Sequence, residues 1–129
     1  MTLMLLDSAS LWYRAYFGMP DTLVSPAGMP VNAIRGYLDM TSRLLTKYQP
    51  NRLVACLEVL DALGIPMVGV DDYEADDLMA TFSVKQNGPI RIVTGDRDLF
   101  QLVDDKRDVK VVYLAKGISN HELVDLSWI

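Results

Sequence analysis

Leu3-Met4-Leu5-Leu6 is an unbroken apolar run ending on Asp7, and a run that short without polar gaps predicts a strand buried on both faces. Ser8 or Ser10 is placed to cap the helix that follows, Leu11 to Phe17. Its Trp12, Tyr13, Tyr16 and Phe17 recur at a spacing expected of core residues, and Arg14 lies among them. Gly18, Pro20, Pro26, Gly28 and Pro30 then predict a long loop over 18–30, of the kind that often carries function. Asn32 is positioned to cap a second helix with Ile34, Leu38, Leu44 and Leu45 as its apolar face, and Tyr48-Gln49-Pro50 stops it.

Arg52 to Cys56 reads as a second buried strand. Leu57 to Gly64 reads as a helix with a glycine cap, yet no turn residue separates it from the strand. Connections of zero length are foreign to compact domains, so the Cys56–Leu57 junction stands out as irregular. Met67 to Val70 predicts a third strand, followed by an acidic turn and a helix of about three turns that ends at Asn87-Gly88-Pro89. Ile90 to Thr94 is the fourth strand and leads through Gly95-Asp96-Arg97-Asp98 into a short helix. Val109 to Leu114 alternates enough to be a fifth strand at an edge. Ser119-Asn120-His121-Glu122 has the form of a capping box and predicts a final helix, with His121 at the surface.

Strands alternating with helices imply an α/β domain, with helices flanking a mostly parallel sheet of about five strands. In such a sheet the strand ends that lead into helices share one edge, and ligands bind there. Asp7 ends the first strand, Glu74, Asp76 and Asp77 follow the third, and Asp96 and Asp98 follow the fourth. Six carboxylates from three regions therefore converge. Each group alone has a plain structural use, because acids suit helix N-termini. Together they repel: at an effective dielectric of ~20, two charges ~4 Å apart cost about 4 kcal/mol. Divalent cations relieve this, and ligation by carboxylates alone points to Mg²⁺ or Mn²⁺.

Composition narrows the field further. The 129 residues suffice for one domain with a real core. The net charge is −5, and setting the six acids aside leaves the remainder at +1, so charge gives no independent support for a nucleic-acid partner. One Cys and one His exclude an internal disulfide and argue against zinc. No apolar run reaches the length of a membrane span, and Leu3 to Leu6 is too short for a signal sequence, so a cytoplasmic protein without membrane contact is expected.

Leu5-Leu6-Asp7-Ser8, Tyr13-Arg14-Ala15-Tyr16, Gly64-Ile65-Pro66, Glu74-Ala75-Asp76-Asp77, Thr94-Gly95-Asp96-Arg97-Asp98 and Gln101-Leu102-Val103 occur in that order across nearly the whole chain. Together they resemble the bacterial 5′-nuclease family, which includes the 5′→3′ exonuclease domain of DNA polymerase I and free-standing flap endonucleases. The resemblance implies a PIN-like three-layer fold and metal-dependent cleavage of DNA at 5′ ends, 5′ flaps or single-strand/duplex junctions, in replication and repair. It implies two or more Mg²⁺ or Mn²⁺ ions, with Asp7, Glu74 and Asp76 serving the first and Asp96 and Asp98 the second. Asp77 would be a further acid nearby. Arg14 would meet substrate phosphate, with Tyr13 or Tyr16 near the bases, and association with a DNA polymerase is a further expectation.

Residues 1–129 would then be the nuclease core, with departures from the family pattern. The acid and helical arch that the family carries after its second strand have no counterpart at Cys56–Leu57. The later Gly-Asp-x-x-Asp stretch, with its helix-hairpin DNA grip, has none either. A catalytically silent fragment that binds DNA or a partner, and a small PIN-type ribonuclease, are the competing readings.

Overall fold

The structure, a computed structural model, describes residues 1–56, 67–68 and 74–129. Strand β1 (Leu3–Asp7) leads directly into helix α1 (Ser8–Gly18), and helix α2 (Asn32–Tyr48) leads to β2 (Arg52–Cys56). Next come β3 (Met67–Val68), α3 (Ala75–Lys85) and β4 (Ile90–Thr94). Two 3-10 helices (Arg97–Leu102 and Asp105–Arg107) precede β5 (Val109–Tyr113) and β6 (Glu122–Val124). The sheet runs β3-β2-β1-β4-β5-β6, parallel throughout except for the antiparallel β5–β6 pair. The helix expected over 57–64, and the positions from Gly69 to Tyr73, lie outside the described residues.

The period-2 alternation of a strand divides the core in two. Leu3 and Leu5 face α3, joining Met79, Ile92, Val111 and Leu99. Met4 and Leu6 face the opposite side, joining Leu11, Ala15, Tyr37, Leu44 and Val112 from α1, α2 and β5. All five residues of β1 are buried, as the apolar run implies. Burying a side chain such as Leu5 stabilises the fold by about 1.5–3 kcal/mol. Among the described residues, no helix is long and apolar enough to cross a membrane.

Several expectations change. Residues 122–124 form β6, not the start of a helix: Glu122 pairs with Tyr113 and buries Val124 against the sheet, so β5 is no longer an edge. His121, half-buried, meets the Tyr48 hydroxyl through Nε2 at 2.7 Å and the Ile118 carbonyl through Nδ1 at 2.6 Å. The capping pattern is thus overridden by β5's need for a partner. The aromatic stripe of α1 is mostly not core either: Tyr13, Tyr16 and Phe17 are exposed, and only Trp12 turns in, stacking on Tyr37 at 4.8 Å.

Helix α2 likewise turns differently, burying Gly36, Tyr37, Met40 and Leu44 while Ile34 and Leu38 face solvent. Asn32 does not cap it. Its amide instead donates to the carbonyls of Tyr16 at 2.9 Å and Met19 at 3.4 Å, tying α2 to the end of α1. Between the helices, the chain closes a small hairpin through the Val24–Pro30 bridge, with Gly28 supplying the positive φ of the turn.

Gly36 sets how closely these two helices approach. A Cβ there would lie 2.9 Å from Ala15 Cβ and 3.1 Å from the Ala15 backbone, atoms that cannot swing away. Gly→Ala in a helix ordinarily stabilises by up to ~1 kcal/mol, but overpacking costs about 1–3 kcal/mol. Gly36→Ala should therefore lower the urea midpoint of unfolding, against the propensity trend; an unchanged or raised midpoint would show that the helices can separate freely.

Candidate active site at the carboxyl edge of the sheet

Asp7 is the last residue of β1 and also the N-cap of α1, a role the sequence reading gave to Ser8 or Ser10. Its carboxylate is buried and held at both oxygens. Oδ1 accepts from the Ser10 backbone at 3.2 Å, and Oδ2 accepts from Thr94 Oγ1 at 2.7 Å. Thr94, fully buried at the end of β4, also accepts from the Asp96 N–H at 3.0 Å. The Asp96 carboxylate in turn receives the Asp98 N–H at 2.9 Å and caps the 3-10 helix. Gly95 N–H donates to Ser10 Oγ at 2.8 Å, fastening the β4 turn to α1 a second time.

Glu74 caps α3, and Asp76 sits in its first turn. An open cavity of about 520 Å³ lies between these elements, lined by Asp7, Ser10, Glu74, Asp76, Gly95 and Asp96 among others. Asp98 is not part of this lining, but its charge reaches Asp76. Asp77 does not line this cavity either; its Oδ2 accepts the Glu74 N–H at 3.4 Å, so it also serves in the capping of α3. Asp71 and Asp72 lie outside the described residues. Arg14, Tyr13, Phe17 and Gly18 line an adjoining cavity of about 510 Å³, which shares Ser10 and Gly95 with the first. Tyr16 lines neither cavity.

The electrostatics follow from this crowding. Burial raises the Asp76 carboxyl above its ordinary range, and the charges of Asp7, Asp96, Glu74 and Asp98 push it further in the same direction. Cys56 stands opposite Asp7 in the β1–β2 register, and burial, reinforced by Asp7, pushes its thiol up to about 11. It is a neutral core residue, not a nucleophile. The carboxyl end of β2 therefore lies at the same edge as Asp7.

Thr94, Ser10 and Gly95 are the residues that sequence reasoning left without a role in the site. Thr94 and Gly95 were visible only as parts of the Thr94-Gly95-Asp96 motif. Ser10, a helix-cap candidate by sequence, instead uses its side chain to hold the turn that carries Asp96.

As a donor set the site offers only carboxylate oxygens, which suit a hard divalent cation. Among the described residues, no three His, Cys, Asp or Glu side chains close on one ligating point. The acids surround a space without collapsing onto it.

A raised folded-state pKa means that ionised Asp76 destabilises the fold above that pKa, and that this penalty disappears once pH falls below the unfolded value. In chelator at pH 7, Asp76→Asn should therefore melt at a higher temperature than the unsubstituted protein, and the gap should close on acidification toward pH 3. A lower melting temperature for the variant at pH 7 would contradict the repulsion.

Comparison with known proteins gives the family and the fold. The family profile described as 5′-3′ exonuclease, N-terminal resolvase-like domain, matches residues 2–58 and 54–128. The two matches overlap at 54–58, the stretch containing the Cys56–Leu57 junction. A 5′-3′ exonuclease of Streptomyces coelicolor is 42% identical over 168 residues, covering 95% of this chain and 56% of that protein. That alignment is longer than the 129-residue chain, so it spans positions with no residue here. The DNA polymerase I of Mycobacterium bovis is 33% identical across 92% of this chain, which corresponds to 17% of the polymerase.

Among solved structures, a mutant T5 5′-exonuclease shares the fold with a TM-score of 0.64 at 16% identity, covering 97% of this chain and 53% of that one. The architecture is accordingly PIN-like. The chain spans about half the length of the exonucleases it matches. One profile accounts for residues 2–128 in order, and the chain belongs to the 5′-3′ exonuclease N-terminal resolvase-like domain family.

Proposed function

We propose that this domain is the core of a divalent-cation-dependent 5′→3′ exonuclease or flap endonuclease, hydrolysing DNA phosphodiester bonds near 5′ ends, flaps or single-strand/duplex junctions. The observation that carries this reading is the convergence on Asp76 of four other carboxylate charges, delivered by β1, α3 and the β4 turn. Such a cluster, in an open cavity, repels a phosphate unless cations stand between them. The all-oxygen donor set fits Mg²⁺ or Mn²⁺. Bound there, two such ions would supply an acidified water and charge for the leaving oxygen.

In this reading Asp7, Glu74 and Asp76 hold one ion, and Asp96 and Asp98 hold the other. Thr94 and Ser10 keep Asp7 and the Asp96 turn in mutual register through the hydrogen bonds already described. Asp77 contributes charge from the rim while starting α3. Arg14 meets a substrate phosphate and Tyr13 lies toward the bases; Tyr16, the alternative to Tyr13, lines neither cavity. The relatives named DNA polymerase I support association with a polymerase. Two family matches meeting at Cys56–Leu57 support the view that the acid and arch found elsewhere in the family are absent at that point.

The test is cleavage of a 5′-labelled flap DNA in Mn²⁺ or Mg²⁺. Short labelled products should form, vanish with chelator, and fall by on the order of a hundred-fold or more in Asp96→Ala. Binding without product would identify a silent DNA-binding domain, and preferential cutting of single-stranded RNA would identify a ribonuclease.

A further inference from the structure

Arg97 stands in sequence between Asp96 and Asp98, and all three residues are exposed at the turn that follows β4. An arginine so placed has the reach to fork onto either neighbour, because guanidinium and carboxylate match in geometry. Among the described residues it forms an ion pair with neither. Nor does it line either cavity. Its Nε instead donates to the Tyr113 hydroxyl at 3.0 Å, with the guanidinium carbon 5.8 Å from the centre of the tyrosine ring. The Tyr113 hydrogen bond favours the charged guanidinium there, and Glu122, opposite Tyr113 in the β5–β6 register, adds a second attraction on that side.

Tyr113 is a fixed post. It ends β5, stands beside Thr94 in the parallel β4–β5 register, and is only 6% exposed. Phe100 meets its ring edge-on at 5.0 Å, and Trp128 lies 6.3 Å away. A hydroxyl carried on a ring packed in this way has little freedom to move. From that position it holds Arg97 on the β5 side of the Asp96 turn, away from the carboxylates on either side of it in sequence.

We propose, resting on the divalent-cation reading of the acid cavity, that Tyr113 is a positioning residue for that site: by tethering Arg97 it keeps a competing guanidinium off Asp96 and Asp98. Released from the hydroxyl, Arg97 would form an exposed ion pair with one of them. Exposed pairs are weak. This one, however, would take up carboxylate oxygens that a divalent cation requires, and would set a positive charge against the incoming ion. The tether therefore raises the cation affinity of the Asp96/Asp98 half of the site, although Tyr113 itself touches no cation.

The experiment measures Mn²⁺ binding to the full chain without DNA, from the electron paramagnetic resonance signal of the free ion. Tyr113→Phe removes the hydroxyl but keeps the ring and its packing on Phe100 and Trp128. It should weaken Mn²⁺ binding by about three- to five-fold. In an Arg97→Gln background the same change should have no effect, because no guanidinium remains to be released. A mere loosening of the end of β5 would weaken binding equally in both backgrounds, and that result would overturn the proposal. Unchanged Mn²⁺ affinity in Tyr113→Phe alone would overturn it too, while leaving the divalent-cation reading intact. An unsubstituted protein that binds no Mn²⁺ would overturn that reading and the proposal with it.

Discussion

The contact on which the site depends is the buried hydrogen bond between Asp7 and Thr94, 2.7 Å long and joining residues 87 positions apart. A carboxylate with almost no solvent exposure is costly unless its oxygens are occupied. Here one oxygen is used by the start of α1 and the other by the end of β4. The bond therefore fixes β1 and β4 at their carboxyl ends, where their helices depart. Because Thr94 Oγ1 also accepts from Asp96, the same hydroxyl aligns the next acid. Asp7 thus both lines the acid cavity and clamps the two strands.

The scaffold behind this clamp is supplied by alternation. Leu3 and Leu5 commit one face of β1 to α3, while Met4 and Leu6 commit the other to α1 and α2. With β1 at the centre of the sheet, both commitments must be met at once, and a register slip would exchange the two sets. That makes the position of Asp7 insensitive to the loops around it. The acids of α3 and of the Asp96 turn arrive on more exposed elements and gain their placement from caps, Glu74 and Asp96 being the cap residues themselves.

Much of this was legible in the sequence because short, mostly apolar runs have few structural meanings. Leu3 to Leu6, Arg52 to Cys56 and Ile90 to Thr94 became adjacent parallel strands, and the acids at or beyond the ends of the first and last came to one edge. The failures occur where one local pattern admits two uses. Ser119-Asn120-His121-Glu122 is a sound capping box, but an uncovered β5 competes for the same residues and wins through Val124. Ile34 and Leu38 share a periodicity with a core face, yet Gly36 permits such close approach to Ala15 that the other side of α2 turns inward. The Thr94 hydroxyl could not be assigned because its partner lies far away in sequence. Threonine in a strand is usually a matter of propensity.

The exposed aromatics of α1 follow from the same constraint that buries Asp7. Its role as N-cap fixes the helix's starting phase, since Ser8 and Leu11 must enter the core with Ala15. A 3.6-residue repeat then places Tyr13 and Phe17 together on the opposite side, and brings Arg14 to the border beside Gly95. Ser10 and Gly95 border both cavities, so the carboxylates and the exposed aromatics meet at one shared floor.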